Sequence, residues 1–337
     1  MEEIKTLLQV EDLNTYLYLE QGVSKALHGV NFDIMEGETL GVVGESGCGK
    51  SMTALSIMQQ VPEPPGKIVS GKILFHGEDL LKKNKAEMRK MRGSKIAMIF
   101  QEPMTSLNPV MTIGKQISET LRIHEKLGHK EAREKAIRML ELVKIPMAEE
   151  RYKQYPHQLS GGMRQRVMIA IALACHPDLL ICDEPTTALD VTVQAQILKL
   201  IKDLQRQNGM AVMLITHDLG VISQVADRIV IMYAGKIVEY GTKENIFKTP
   251  LHPYTEALLK AVPKLTDKDD QELYMIKGMV PDLVQEPKGC LFAPRCPYAK
   301  DICYAAELGL AQLPTGKVYC HRYDGNKAGK GAAYGEI

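Results

Sequence analysis

An apolar run at residues 39–43 (TLGVV) leads straight into Gly44-Glu45-Ser46-Gly47-Cys48-Gly49-Lys50-Ser51, and a helical pattern begins at Lys50 and continues through Met52. No other stretch restricts the possible folds as much. Closely spaced glycines let the backbone curl until successive N–H groups point at one anion. The helix that opens at the end of the loop adds its positive terminus at the same place. The segment fits G-x-x-x-x-G-K-S/T in full, between a strand and a helix as that pattern requires. Lys50 is then a contact to the β- and γ-phosphates of a nucleoside triphosphate, and the Ser51 hydroxyl a Mg2+ ligand. A fortuitous glycine-rich turn is the competing reading, and the coincidence of motif and context argues against it. Cys48 admits a redox role or a plain one as a small residue, and the plain one is preferred.

Strand–helix alternation continues along the chain. Short apolar strands are expected at residues 95–100 (KIAMIF), 179–182 (LLIC) and 211–216 (AVMLIT). Each sits beside a helical pattern, which implies a mostly parallel α/β sheet. Residues 228–231 and 236–240 flank Tyr233-Ala234-Gly235, a turn between two further strands. From Thr112 to about Lys144 the pattern is helical and charged, with Leu121, Leu127, Ile137, Leu140 and Val143 as its apolar stripe. Beyond Pro263 comes a polar linker, residues 264–271, and the tail from Asp324 has the composition of a disordered segment.

A length of 337 residues suggests about two domains. With 42 basic and 41 acidic residues the net charge is +1, which argues against charge-driven binding to nucleic acid or anionic lipid. The N-terminus begins with two acids and lacks the apolar core of a secretory signal. No apolar run approaches the roughly 18 residues of a membrane span. The chain is therefore expected to be soluble and cytoplasmic, reaching a membrane only through partners.

Two acids close the third apolar strand. Asp183 at a strand end beside a phosphate loop can hold Mg2+ through water. Glu184, one residue on, can polarise an attacking water as general base. Adjacent acids are also common as plain turn caps. His217 follows the 211–216 strand, and its position at a strand end favours a catalytic role over a structural one.

Leu159-Ser160-Gly161-Gly162-Met163-Arg164-Gln165-Arg166 opens a helix expected to run to about Ala174. This segment closely resembles the signature motif of ABC transporter ATPases. The resemblance implies that Ser160, Gly161 and Gly162 cap ATP bound to the opposite subunit, so that two ATP molecules are sandwiched in a head-to-tail dimer. Gln101 resembles the family's Q-loop glutamine, which senses Mg2+ and the γ-phosphate. Ala188-Leu189-Asp190 resembles the D-loop, which crosses the dimer interface, and His217 the switch histidine at the γ-phosphate. Glu184 fits the family's base. An aromatic stacked on adenine is implied before the phosphate loop; Tyr16 and Tyr18 both lie near that place, and Tyr16 is favoured.

The segments at residues 101–109 (QEPMTSLNP), 252–255 (HPYT) and 289–297 (GCLFAPRCP) narrow the resemblance to dipeptide and oligopeptide permease ATPases, with nickel-uptake ATPases sharing much of it. It implies an α/β P-loop NTPase with a RecA-like parallel core, an antiparallel β subdomain and a helical subdomain at about 103–175. The implied boundaries are 1–262 for the nucleotide-binding domain, 263–323 for a small C-terminal metal-cluster domain and 324–337 for the tail. The implied partners are a second ATPase subunit, homologous or identical, two membrane permeases and, indirectly, an extracytoplasmic solute-binding protein. No nucleic acid is implied, and the chain is placed peripherally on the cytoplasmic face of the membrane. An ABC ATPase acting in DNA repair or translation is the reading from another class; the single cassette without a long coiled coil opposes it. A regulatory module without hydrolysis is opposed by Glu184 and His217.

Seven cysteines, an odd count, argue against a disulfide framework. Four of them, Cys290, Cys296, Cys303 and Cys320, are spaced C-x5-C-x6-C-x16-C. Four thiolates can bind a 4Fe–4S cluster or Zn2+, or can simply stay reduced in a small core. Zinc sites usually show tighter pairs, and the resemblance to permease ATPases with this cysteine pattern favours the cluster. This C-terminal part and the phosphate loop are expected to carry separate chemistry.

Overall fold

The computed structural model describes residues 5–101, 106–187, 189–262, 274–284, 287–306 and 309–323. The linker at 264–271, the tail from 324, residues 102–105 of the segment after Gln101, and Ala188 lie outside them. The chain divides into two compact units. One takes Met1–Leu8, Ile34–Thr39 and Phe75–Ile215; the other takes Gln9–Asp33, Leu40–Leu74 and Thr216–Ile337.

In the first unit the strands Ile96–Ile99, Leu179–Asp183 and Ala211–Thr216 run parallel in that order, with Ile99 opposite Cys182 and Cys182 opposite Leu214. The latter two strands are buried along their whole length. Strands covered on both faces read as unbroken apolar runs rather than alternating ones, which is why LLIC and AVMLIT carry no period of two.

The single helical stretch expected from 112 to 144 is two helices, Ile113–His124 and His129–Leu142. Lys126 takes a left-handed φ of 58° between them, and the Glu131 carboxylate accepts from the Gly128 amide to start the second helix. Leu127 falls in this connection and is only half-buried, so it is not part of the stripe. The stripe is made by Ile113, Ile117 and Leu121 on the first helix and by Ala132, Ala136, Ile137 and Leu140 on the second, all buried. The helix Gly161–Leu173 packs against both.

In the second unit the strand Thr39–Val43 pairs in parallel with Arg228–Tyr233 from Leu40 onward. After the Ala234-Gly235 turn, Lys236–Thr242 returns antiparallel. The C-terminal strand Gly316–Tyr319 joins the far side of Lys236–Thr242, with Val318 opposite Glu239, and Leu310–Leu313 pairs onto it in turn. A separate layer holds the strands Gly22–Met35, Thr6–Leu19 and Gly66–Phe75, in that order. The first two are joined by only two residues, which forces them antiparallel.

Candidate active site

The phosphate loop is closed on itself. Gly44 is buried at the end of its strand, and the helix Lys50–Ile57 starts at Gly49. Gly49 has a φ of 105°, and a Cβ there would stand 2.8 Å from the Ala26 carbonyl oxygen, so only glycine fits. Lys50 is 5% exposed, and its ammonium donates to the carbonyl oxygens of Gly44 at 2.8 Å and Glu45 at 3.0 Å. A buried cation held by two neutral carbonyls is poised to exchange them for anionic oxygens, which make stronger, charge-assisted bonds. Cys48 is buried, and burial pushes its thiol up, against a smaller opposing pull from Lys50. Ser46, Gly47 and Ser51 are exposed, and Met52 is half-buried.

The acids lie in the other unit. Asp183 is buried at the end of its strand. Glu184 leaves the strand with a left-handed φ of 45°, its amide bonded to the Ile215 carbonyl at 2.9 Å. A non-glycine residue held in this region costs about 1–3 kcal/mol, and such strain gathers at working sites. Gln101 Nε2 donates to Glu184 Oε2 at 3.0 Å, and the Thr187 hydroxyl donates to the same oxygen at 2.9 Å. Two residues 83 apart in sequence are thus brought together, and the carboxylate that could take a proton from water is oriented from two sides.

The signature segment is open. Ser160 and Gly161 are exposed, and the Ser160 hydroxyl accepts from the Met163 amide at 3.4 Å, capping the helix. A Cβ on Gly162 would lie 2.8 Å from Val193 Cγ1, so glycine here allows the close approach of the helix Val191–Asn208. Asp190 caps that second helix, accepting from the Val193 amide at 3.0 Å. In the unit that holds the phosphate loop, His217 is exposed just after its strand, Tyr16 is half-buried and Tyr18 is exposed.

The four C-terminal cysteines line one cavity that opens to solvent. Among the described residues no group of three or more His, Cys, Asp or Glu is drawn together closely enough to grip one ion. Burial pushes the Cys290 and Cys296 thiols up, and that of Cys320 up to about 11. In these three cysteines burial favours the neutral thiol over the thiolate. His252 lines the same cavity and is 1% exposed. Its Nδ1 accepts from the Tyr254 amide at 3.0 Å, and burial holds the ring neutral, with its titration pushed down to about 3. Nε2 must then carry the proton, yet it has no hydrogen-bond partner among the described residues.

The cysteine-bearing segment reaches the phosphate loop within the same unit. Arg295, immediately before Cys296, grips the Glu45 carboxylate with both terminal nitrogens, at 2.7 and 3.0 Å. The Tyr254 hydroxyl accepts from the Glu45 amide at 2.9 Å. Sequence reading also missed Thr187 as a support for Glu184. The segments GCLFAPRCP and HPYT had signalled a family, without signalling that Arg295 and Tyr254 reach the loop.

The chain is similar to known proteins over most of its length. A model of the ABC transporter family matches residues 27–187, and one for the oligopeptide/dipeptide transporter C-terminal region matches residues 238–303. A probable peptide ABC transporter ATP-binding protein of Sinorhizobium fredii is 53% identical over 92% of this chain and 92% of its own length. The oligopeptide transport ATP-binding protein AppD of Bacillus subtilis is 51% identical over 95% of this chain and 98% of its own. Among solved structures, a dimeric ATP-binding cassette in a post-hydrolysis state, bound to ADP and Pi, aligns at a TM-score of 0.63 and 28% identity, covering 70% of this chain and 98% of that one. Among the described residues no helix is long and apolar enough to cross a membrane. The chain carries the P-loop ABC ATPase fold and belongs to the family of ATP-binding, ATP-hydrolysing subunits of oligopeptide and dipeptide ABC transporters.

Proposed function

We propose that this chain powers import of di- and oligopeptides, working peripherally on the cytoplasmic face of the membrane beneath two permease subunits that receive solute from an extracytoplasmic binding protein. The support is the pairing of a complete ATPase motif set with the C-terminal region at 238–303, together with relatives named for peptide transport over nearly their whole length. In this reading residues 1–262 form the nucleotide-binding domain and 263–323 the cysteine-rich domain.

ATP binds through Gly44 to Met52, with Tyr16 stacked on adenine. Ser51, Asp183 and Gln101 attend Mg2+. Glu184 takes a proton from water as the water oxygen attacks the γ-phosphorus, and the bond to the ADP oxygen breaks to release phosphate; His217 contacts the γ-phosphate. Gln101, which donates to Glu184 Oε2, would help hold Mg2+ if the metal binds here, while its amide orients the base. Ser160, Gly161, Gly162 and Asp190 serve the nucleotide of a second cassette facing this one head to tail. Changing Glu184 to Gln is expected to cut turnover by about 10²–10⁴-fold with ATP binding intact, read by phosphate release and nucleotide titration. Near-normal hydrolysis removes Glu184 from the role.

Cys290, Cys296, Cys303 and Cys320 are the proposed ligands of a 4Fe–4S cluster, with Zn2+ the alternative metal. Four cysteines lining one cavity, and the buried Nε2 of His252 without a hydrogen-bond partner among the described residues, support the fit. When bound, such a group supplies a covalent tie for a segment too small to build a large core of its own. Protein purified without oxygen is expected to be brown, with absorbance near ~400 nm and about four irons per chain. Stoichiometric zinc without iron assigns the site to zinc, and metal-free protein leaves the cysteines a packing role.

A further inference from the structure

We infer that Arg295 is a positioning residue for nucleotide binding, neutralising Glu45 inside the phosphate loop and making that loop depend on the cysteine-bearing segment. The inference rests on the assignment of Gly44 to Ser51 as the phosphate site. A carboxylate in a loop that must receive a polyanion is an electrostatic liability, and something must hold it away from the ligand and cancel its charge. Arg295 does both. Its side chain is 5% exposed, and all five of its N–H donors are engaged. Nη1 reaches Glu45 Oε2 at 2.7 Å and the Tyr233 hydroxyl at 3.3 Å. Nη2 reaches Glu45 Oε1 at 3.0 Å and the Ile276 carbonyl at 3.2 Å, and Nε reaches the Lys277 carbonyl at 3.0 Å.

Glu45 is fixed at three points in consequence: its side chain by Arg295, its amide by the Tyr254 hydroxyl and its carbonyl by Lys50. The arginine is itself anchored. It ends the short helical turn Ala293–Arg295, which begins where the Ala293 amide bonds the Cys290 carbonyl and ends at Cys296. Phe292, just before this turn, sets its ring edge-on to Tyr233 and tilted against Tyr254, with centroids 5.3 Å from each. Any change that loosens residues 290–296 therefore frees Glu45 beside the phosphate site.

The test uses the full-length protein and titration with a fluorescent ATP analogue and Mg2+, with the melting temperature followed in parallel. Arg295→Ala is expected to weaken nucleotide binding about ten-fold, because Glu45 is left uncompensated. Adding Glu45→Gln to that variant is expected to restore most of the affinity without restoring the melting temperature, a rescue that loss of packing cannot give. Arg295→Lys keeps the positive charge but loses the two-pronged grip on Glu45, and it is expected to weaken binding by less than Arg295→Ala. This arm stands even where Arg295→Ala fails to fold. Unchanged affinity in Arg295→Ala, absence of rescue in the double variant, or unchanged affinity in a folded Arg295→Lys each overturns the inference. Wild-type protein that binds no ATP would instead remove the phosphate-site assignment beneath it.

Discussion

Two helices of this chain begin with glycine-bearing turns that offer backbone N–H groups, yet their surroundings are opposite. At the phosphate loop Lys50 is buried, Gly44 is buried, and Glu45 is held by three other residues, so the cradle is preformed by its own chain. At Ser160 the hydroxyl makes a single long capping bond, and Ser160 and Gly161 face outward. A preformed anion site loses little entropy when its ligand arrives, whereas an open helix start relies on what is brought to it. The contrast teaches that motif content alone does not make two glycine turns equivalent. The first is enclosed by its own chain; the second is open to solvent.

Three substitutions break or sharpen this contrast. The largest effect is expected from Lys50→Ala, which removes the one buried cation of the loop and should raise the dissociation constant for ATP about 10–100-fold. Nucleotide titration of the isolated chain reads this, and an unchanged affinity would dissolve the distinction between the two turns. Ser160→Arg should leave that affinity as it is while lowering turnover about ten-fold at concentrations where two cassettes associate. Equal loss of ATP affinity in the isolated chain would mean that Ser160 serves its own loop. The smallest effect belongs to Gly162→Ala, whose new methyl meets Val193 Cγ1 and should cost about 1–3 kcal/mol of stability. Thermal unfolding measures it, and Val193→Ala in the same chain should return most of the loss. No recovery there would place the cost elsewhere than in the approach of the two helices.

Much of this was readable in the sequence because it is local. The 39–43, 179–182, 211–216 and 236–240 strands, the helix at Lys50 and the turn at Ala234-Gly235 each follow from a few neighbouring residues. The split near Lys126 has a local signal too, Gly128 and Glu131 three positions apart, which the reading by apolar stripe did not use. What was not readable joins distant residues. Gln101 meets Glu184 across 83 positions and Arg295 meets Glu45 across 250. Nothing in either flanking sequence states the pairing, since a single arginine has the same local appearance whether it faces solvent or a carboxylate. The unpartnered Nε2 of His252 is of the same kind, because orphanhood is a property of surroundings rather than of a residue.

The strand Gly316–Tyr319 has a further consequence for anyone shortening this protein. It occupies the open side of Lys236–Thr242 and contributes the buried Val318 to a small apolar cluster with Leu251, Ala311 and Cys320. Ending the chain at residue 262, where composition invites a cut, would strip that cover. Lys236–Thr242 would then present a ladder of unpaired N–H and C=O groups, the template on which strands of separate molecules add to one another. The C-terminal region thus moves the sheet edge from Lys236–Thr242 to the short strand Leu310–Leu313, and a cassette cut at 262 is expected to oligomerise more at high concentration than the full chain, read by light scattering.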